Sequence, residues 1–293
     1  MSLLVQQIAN GLSLGMVYGL VAVGFSMVFG ILRLINFSHG AVLAFGANIA
    51  FFFVGLHVNP VLAIVLAVIV SGILGVMIDK VALLPLRKKK SIPIAALVTT
   101  IGISNIVENL LIARFGSHRS PFPDFFNFGP VFVGGIQLSS RQFVMFGVCL
   151  VLLALLLFLV NHTKIGLAMR ATAQNPKAAS LMGINVNTII ALTFFLGSAS
   201  AAIAGGMVSG YFQIVYPGMG FMLGLKAFSA SVLGGIGSLT GAVVGGLLVG
   251  VIENVAALYI GSQYRDSIAF VILIIVLIFR PAGLFGKKEI VKV

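Results

Sequence analysis

The chain has 293 residues, 60% hydrophobic and only 8% charged, with 18 Lys and Arg against 6 Asp and Glu for a net charge of +12. Globular domains carry about 25% charged residues, so this composition, with a mean hydropathy of +1.18, excludes a soluble fold. Nor does the positive charge mark a nucleic-acid surface: Arg87–Lys90, Lys164, Arg170, Lys177, Arg280, Lys287, Lys288 and Lys292 fall in short segments between apolar runs and in the tail, the positive-inside pattern of a polytopic membrane protein.

Uncharged runs cover 1–32, 34–78, 142–163, 178–225 and 227–252, each reaching or exceeding the roughly 20 apolar residues that span a bilayer. MSLLVQQ lacks a positive n-region and the following apolar run is too long for a cleaved signal, so the first helix is expected to be retained, with its N-terminus outside. With 87–90, 161–184 and 280–293 assigned to the cytoplasm, the first helix covers about 5–31 and NFSHG (36–40) makes the inner turn. A second helix runs to about Leu56, Asn59-Pro60 breaks the chain outside, and a third covers 61–79, ending near Asp79 and Lys80. A fourth, about 93–114, leads out to the long loop RFGSHRSPFPDFFNFGP. The fifth spans about 142–161 and the sixth about 187–210.

YPGMG (216–220) reads as an outer turn. The apolar stretch 221–260, broken by GGIGS (234–238), Gly241, Gly245 and Gly246, fits either two crossings or a re-entrant half-helix pair. A last helix, about 264–279, runs inward. The expected fold is all-α and polytopic, a single domain over 1–293 of eight or nine hydrophobic segments, some broken or re-entrant. An outer N-terminus and an inner C-terminus require an odd number of full crossings. The glycines of G11xxxG15xxxG19 and G241xxxG245 fit close helix packing in lipid. SHGAVLAFGAN (38–48) and LTGAVVGGLLV (239–249) are a faint internal echo, each placing Gly-Ala-Val after a polar turn. The lone Cys149 excludes an intrachain disulfide.

The inner loop 161–186 contains RATAQNPKAASLMGIN (170–185), a polar island between two apolar runs. Asn175 is placed to cap free N–H groups, Pro176 suits the first helical position, and Gly183 suits a left-handed stop. Ala178, Leu181 and Met182 share one face by i, i+3, i+4 spacing, with Ala179 beside them. So short a helix is unstable alone in water and needs a surface, whether the bundle, the lipid interface or a partner.

Lys177-Ala-Ala-x-x-x-Gly183 resembles the Glu-Ala-Ala-x-x-x-Gly loop of ABC-importer permeases, with Lys in place of Glu. GLSLGMVYGLVAVGFSMVFGILRLINFSHG (11–40), RATAQNPKAASLMGIN, KAFSASVLGGIGSLTGAVVGGLLVG (226–250) and RPAGLFG (280–286) together resemble LivH-type permeases, one of the two membrane subunits of branched-chain amino acid ABC importers. The resemblance implies the ABC-importer permease fold in a plasma (inner) membrane. It makes Arg170, Asn175, Pro176, Lys177, Ala178, Ala179, Leu181, Met182 and Gly183 a coupling helix in a groove of an ATPase. It implies as partners a second, LivM-like permease, two cytoplasmic ATPase subunits and an extracytoplasmic binding protein for leucine, isoleucine or valine. Lys226 favours this branch over the related urea permeases.

No G-x-x-x-x-G-K-[ST] sequence occurs, so ATP and Mg belong to partner subunits and this chain needs no cofactor of its own. No nucleophile–base pair or metal cluster stands at useful spacing, which disfavours an enzyme. Polar groups in a membrane segment usually face the bundle interior or a cavity. Asn48, Asn105, Glu108, Asn109, Glu253 and Asn254 are therefore the candidates for the translocation path, with helix–helix hydrogen bonding the alternative for the Asn residues. Arg33, Asn36 and His39 are expected to shape the inner turn. A rival reading, a secondary transporter or channel acting without an ATPase, would have Glu108 or Glu253 titrate during transport.

Overall fold

In hydrocarbon every backbone N–H and C=O must be satisfied within its own segment or against neighbouring protein, so the uncharged runs have little choice but to become helices. The computed structural model describes residues 2–89, 91–124, 129–133, 136–280 and 282–286. Lys90, Lys287, Lys288 and Lys292 of the basic segments, and Pro281 of the RPAGLFG block, lie outside the described residues. Among those described, eight helices are long and apolar enough to cross a membrane, and Met219–Gly234 is a shorter apolar one.

The helix α1 (Ser2–Leu32) is the central element, with Leu14 to Val28 almost wholly buried. It crosses α11 (Leu239–Ile260) along the predicted series Gly11, Gly15 and Gly19, which meets Gly246 and Gly250; the other predicted pair, Gly241 and Gly245, faces residues 230–234 instead. A Cβ on Gly11 would stand 2.7 Å from the Cα of Val251, and one on Gly15 2.8 Å from the Cα of Leu247. The two backbones touch, which only glycine permits.

After α1 the chain turns at Arg33, in the left-handed region at φ 52°, into α2 (Ser38–Gly55). The Asn36 side chain accepts from the Ser38 N–H at 3.1 Å. The turn is drawn into the protein: Asn36, Ser38 and His39 are buried. The His39 ring stands edge-on to Phe25, 4.6 Å between centroids, and against Gly24, about two helical turns back from the end of α1. Polar residues this short can be drawn inward because Gly24 and Gly197 leave room for the imidazole.

Asn59 caps α3 (Pro60–Met77), accepting from Val61 N–H at 3.0 Å. Where an end near Asp79 was expected, a π-helical turn (Ile78–Leu83) continues the helix into α4 (Leu84–Lys88). The reason is electrostatic. Buried Asp79 is paired with Arg87 at 2.8 Å, so its charge does not stop the helix. The fourth crossing is α5 (Pro93–Phe115) and the fifth α6 (Ser140–His162).

The long loop carries short strands β1 (Ser120–Pro121), β2 (Val131–Val133) and β3 (Ile136–Leu138), the last two an antiparallel pair; its residues 125–128 lie outside the described set. After α6 come α7 (Lys164–Gln174), α8 (Pro176–Leu181) and α9 (Val186–Phe212). β1 pairs with β4 (Ile214–Val215), which ends α9 and leads into α10 (Met219–Gly234).

The stretch 221–260 thus resolves into two helices joined by a turn at Gly235 and Gly237, both at positive φ. Sixteen residues make α10 about 24 Å long, short of the roughly 30 Å core. Its first turns lie on the buried start of α2, the Cα of Gly224 meeting Gly40. The break is therefore a helix set into the bundle. A 3-10 turn (Ser262–Tyr264) leads to α12 (Arg265–Phe279), which packs on α10 and α11.

Candidate functional site

The polar island is built as its residues dictate. Thr163 accepts from Gly166 N–H at 3.1 Å and starts α7, whose Gly166, Met169 and Thr172 are buried along one face. This helix was not anticipated as a separate element; the i, i+3 spacing of those three residues behind Thr163 was its signal. Arg170 donates to the carbonyl of Val160 at the end of α6, so it staples α7 to the bundle.

Asn175 caps α8, its side chain accepting from the N–H groups of Lys177 and Ala178 at 3.1 Å each, with Pro176 at the first helical position. Gly183, at φ 84°, closes it: Ile184 N–H donates to Ala179 and Gly183 N–H to Ser180, the paired bonds that end a helix on a left-handed glycine.

α8 packs on α7 and α9. Its faces divide sharply. Ala179 is 4% exposed and turned into the chain itself, whereas Leu181 and Met182 are 89% and 84% exposed. Ala179, beside the exposed face of Ala178, Leu181 and Met182 and about 100° round the helix from Ala178, is the anchor turned inward. Lys177 and Ala178 are exposed with the two large side chains.

The intramembrane polar residues separate into three groups. Asn48 and Asn254 are buried and each donates at 2.8 Å to a carbonyl four residues back, of Ala44 and Gly250. These bonds lie within one helix, not between helices. Asn105 and Asn109 are exposed on α5, Asn109 donating back to the Asn105 carbonyl. Glu108 is half-buried, its carboxylate beside Gly218. Of the predicted face, Asn105 and Asn109 thus point away from this chain's own bundle, whereas Glu108 keeps its carboxylate against it.

Glu253 forms the third group. It is 0% exposed, and its Oε1 lies 2.8 Å from Lys226 Nζ, 3.7 Å from Arg265 Nε and 3.4 Å from the Tyr18 hydroxyl, which donates to it. Lys226 also meets Asp266 at 2.7 Å. Sequence reasoning took Lys226 only as a marker of family branch. Its position as the one charge between two long uncharged runs was the signal that it needed an acidic partner in the membrane. The cluster joins α1, α10, α11 and α12 and floors a cavity of about 280 Å³. Apolar walls come from Leu14, Val208, Met219 and Leu223, and Arg119 and Tyr216 stand at its margin.

The family model described as branched-chain amino acid transport system, permease component, matches residues 7–277. The chain is 40% identical to the high-affinity branched-chain amino acid transport system permease protein BraD of Pseudomonas aeruginosa, covering 98% of this chain and 97% of that one. It is 37% identical to the permease protein LivH of Escherichia coli over the same shares. Similarity to the probable LivH permease of Methanocaldococcus jannaschii is 29%, over 91% and 88%. Nearly the whole of each chain is matched, including α8 and the charged cavity, and this protein belongs to the family of branched-chain amino acid transport system permease components.

Proposed function

We propose that this chain is one of two membrane subunits of an ATP-binding-cassette importer for leucine, isoleucine and valine. A second permease of LivM type completes the membrane pair, two cytoplasmic ATPase subunits bind ATP and Mg, and an extracytoplasmic binding protein delivers the amino acid. The chain itself catalyses no reaction. It acts as a single permease domain in the plasma (inner) membrane, with the N-terminus outside and loop 161–186 in the cytoplasm.

The observation that carries this reading is the exposure of Leu181 and Met182 on a helix already capped at both ends. Two large apolar side chains held out together cost free energy in water, about 1.5–3 kcal/mol each relative to burial. A groove on a partner removes that cost, and a preformed helix binds without ordering itself first. Anchored by Ala179 and tied through α7 and Arg170 to the end of α6, α8 transmits movement of whatever holds it. The path is assigned to the polar residues Asn105, Glu108 and Asn109 of α5, whose exposed Asn side chains lipid would not solvate and a second subunit would cover.

The test is Leu181→Asp combined with Met182→Asp in the assembled transporter. Both side chains leave the chain's own packing intact, so the variant is expected to insert normally while co-purification of the ATPase and ATP-driven leucine uptake fall at least tenfold. Unchanged uptake in this variant, or uptake by the chain reconstituted alone, would overturn the docking assignment.

A further inference from the structure

The charged cavity has a pattern of used and unused valences that points to a ligand. Lys226 and Tyr18 both hydrogen-bond to one oxygen of Glu253, Oε1, while Arg265 Nε stands 3.7 Å from it, beyond hydrogen-bond reach. The other, Oε2, is buried with no hydrogen-bond partner, and so is the Arg265 Nε–H. A buried carboxylate oxygen left unsatisfied costs free energy, as does an unsatisfied guanidinium donor. One spare acceptor and one spare donor, of opposite charge and within one cavity, are complementary to a molecule that carries an ammonium and a carboxylate together. Within the cluster the charges of Lys226 and Arg265 match those of Glu253 and Asp266, with the exposed Arg119 also on the lining. Above this floor the walls are aliphatic and thioether surface. The volume of about 280 Å³ lies just under the roughly 300–1,000 Å³ of sites for drug-sized ligands, which suits a smaller molecule.

We propose that this cavity is a binding site within the permease for a free amino acid with an aliphatic side chain. The ligand's ammonium lies on Glu253 Oε2, its carboxylate on Arg265, and its side chain against Leu14, Val208, Met219 and Leu223. Lys226 positions Glu253, with Asp266 as its second partner. The inference rests on the importer reading and adds to it a residue-level site in the membrane subunit, separate from the exposed α5 face. Charge-assisted hydrogen bonds at both poles make the site selective: a ligand lacking either pole leaves Glu253 Oε2 or the Arg265 Nε–H without a hydrogen bond.

The experiment uses the purified complex of permeases and ATPases, without binding protein, and measures binding of radiolabelled leucine with leucinamide and 4-methylpentanoate as competitors. Leucine is expected to compete at least tenfold better than either analogue, the difference one charge-assisted hydrogen bond commands. Arg265→Gln should close the gap between leucine and leucinamide, with Arg265→Lys restoring part of it. The double variant Lys226→Gln, Glu253→Gln, which removes a charge of each sign, should close the gap between leucine and 4-methylpentanoate. A purely structural ion cluster would move neither ratio. A complex that imports leucine yet binds none saturably, or variants that keep both ratios, would overturn the site while leaving the importer reading intact. Absence of any ATP-driven leucine uptake by the unaltered system would overturn both.

Discussion

Lys226 and Glu253 show what single residues contribute and what a sequence can say of them. Both stand within long uncharged runs, so each had to be neutralised, but nothing in the order of residues says that position 226 meets 253 or that Asp266 and Arg265 close the group. Pairing across helices depends on how α10 and α11 lean together, which the spacing within either helix does not encode. His39 is similar. Its place in an inner turn was legible, but not its burial, which depends on the room left by Gly24 and Gly197 on other helices. Local chemistry was legible: Asn175, Pro176 and Gly183 cap and stop α8 because those side chains act on neighbouring backbone alone. Removing one member of a buried pair strands the other. Lys226→Met is expected to destabilise the protein by about 3 kcal/mol, the lower end for such changes because Arg265 stays beside Glu253. Thermal melting in detergent reads this as a lowered midpoint, and Glu253→Gln added to Lys226→Met should recover most of the loss.

Among the described elements, α1 and α11 share the most extensive crossing. Its α1 side was readable as Gly11, Gly15 and Gly19, since small residues four apart are the usual means of bringing helices together in lipid; on α11 it is Gly246 and Gly250 that meet them, while the predicted Gly241 and Gly245 face α10. The position of α10 was not readable. A glycine-rich apolar stretch is compatible with two spans or a re-entrant pair, and the choice depends on the buried start of α2 against which α10 rests. The continuation of α3 through the π-turn escaped for a similar reason, because Asp79 is neutralised by a residue eight positions further on. At the crossing, a Cβ on Gly246 would collide with the backbone of Gly19, and neither helix has a side chain there that can give way. Gly246→Val should therefore cost at least the 1–3 kcal/mol typical of overpacking. In a detergent-stability measurement it should lower the melting midpoint more than Gly102→Val, at a position with nothing within 4 Å.

At the scale of the molecule, nine apolar helices stand among the described residues, and the basic segments predict one arrangement for them. If each helix carries the chain across once, nine is an odd number, and the termini lie on opposite sides as the charge distribution requires. Cys149, the sole cysteine, is buried, so introduced cysteines report without background. Ser117→Cys, exposed beyond α5, should react with a membrane-impermeant maleimide added to intact spheroplasts. Lys89→Cys, exposed beyond α4, should react only after the membrane is opened. The reverse pattern would invert the topology and place α8 on the wrong side for an ATPase.

One helix connects the two ends of this arrangement. α9 begins just past the glycine that closes α8, and its last turns supply Val208 and Phe212 to the charged cavity. Its 27 residues make it about 40 Å long, and along its length it lies against α1, α2 and α3. Such a rod behaves as a seesaw with its fulcrum in the bundle. A pivot of about 5° about the midpoint moves each end roughly 1.7 Å in opposite senses. A nudge on one side of the membrane thus arrives on the other with its direction reversed, and the cavity wall is where it arrives.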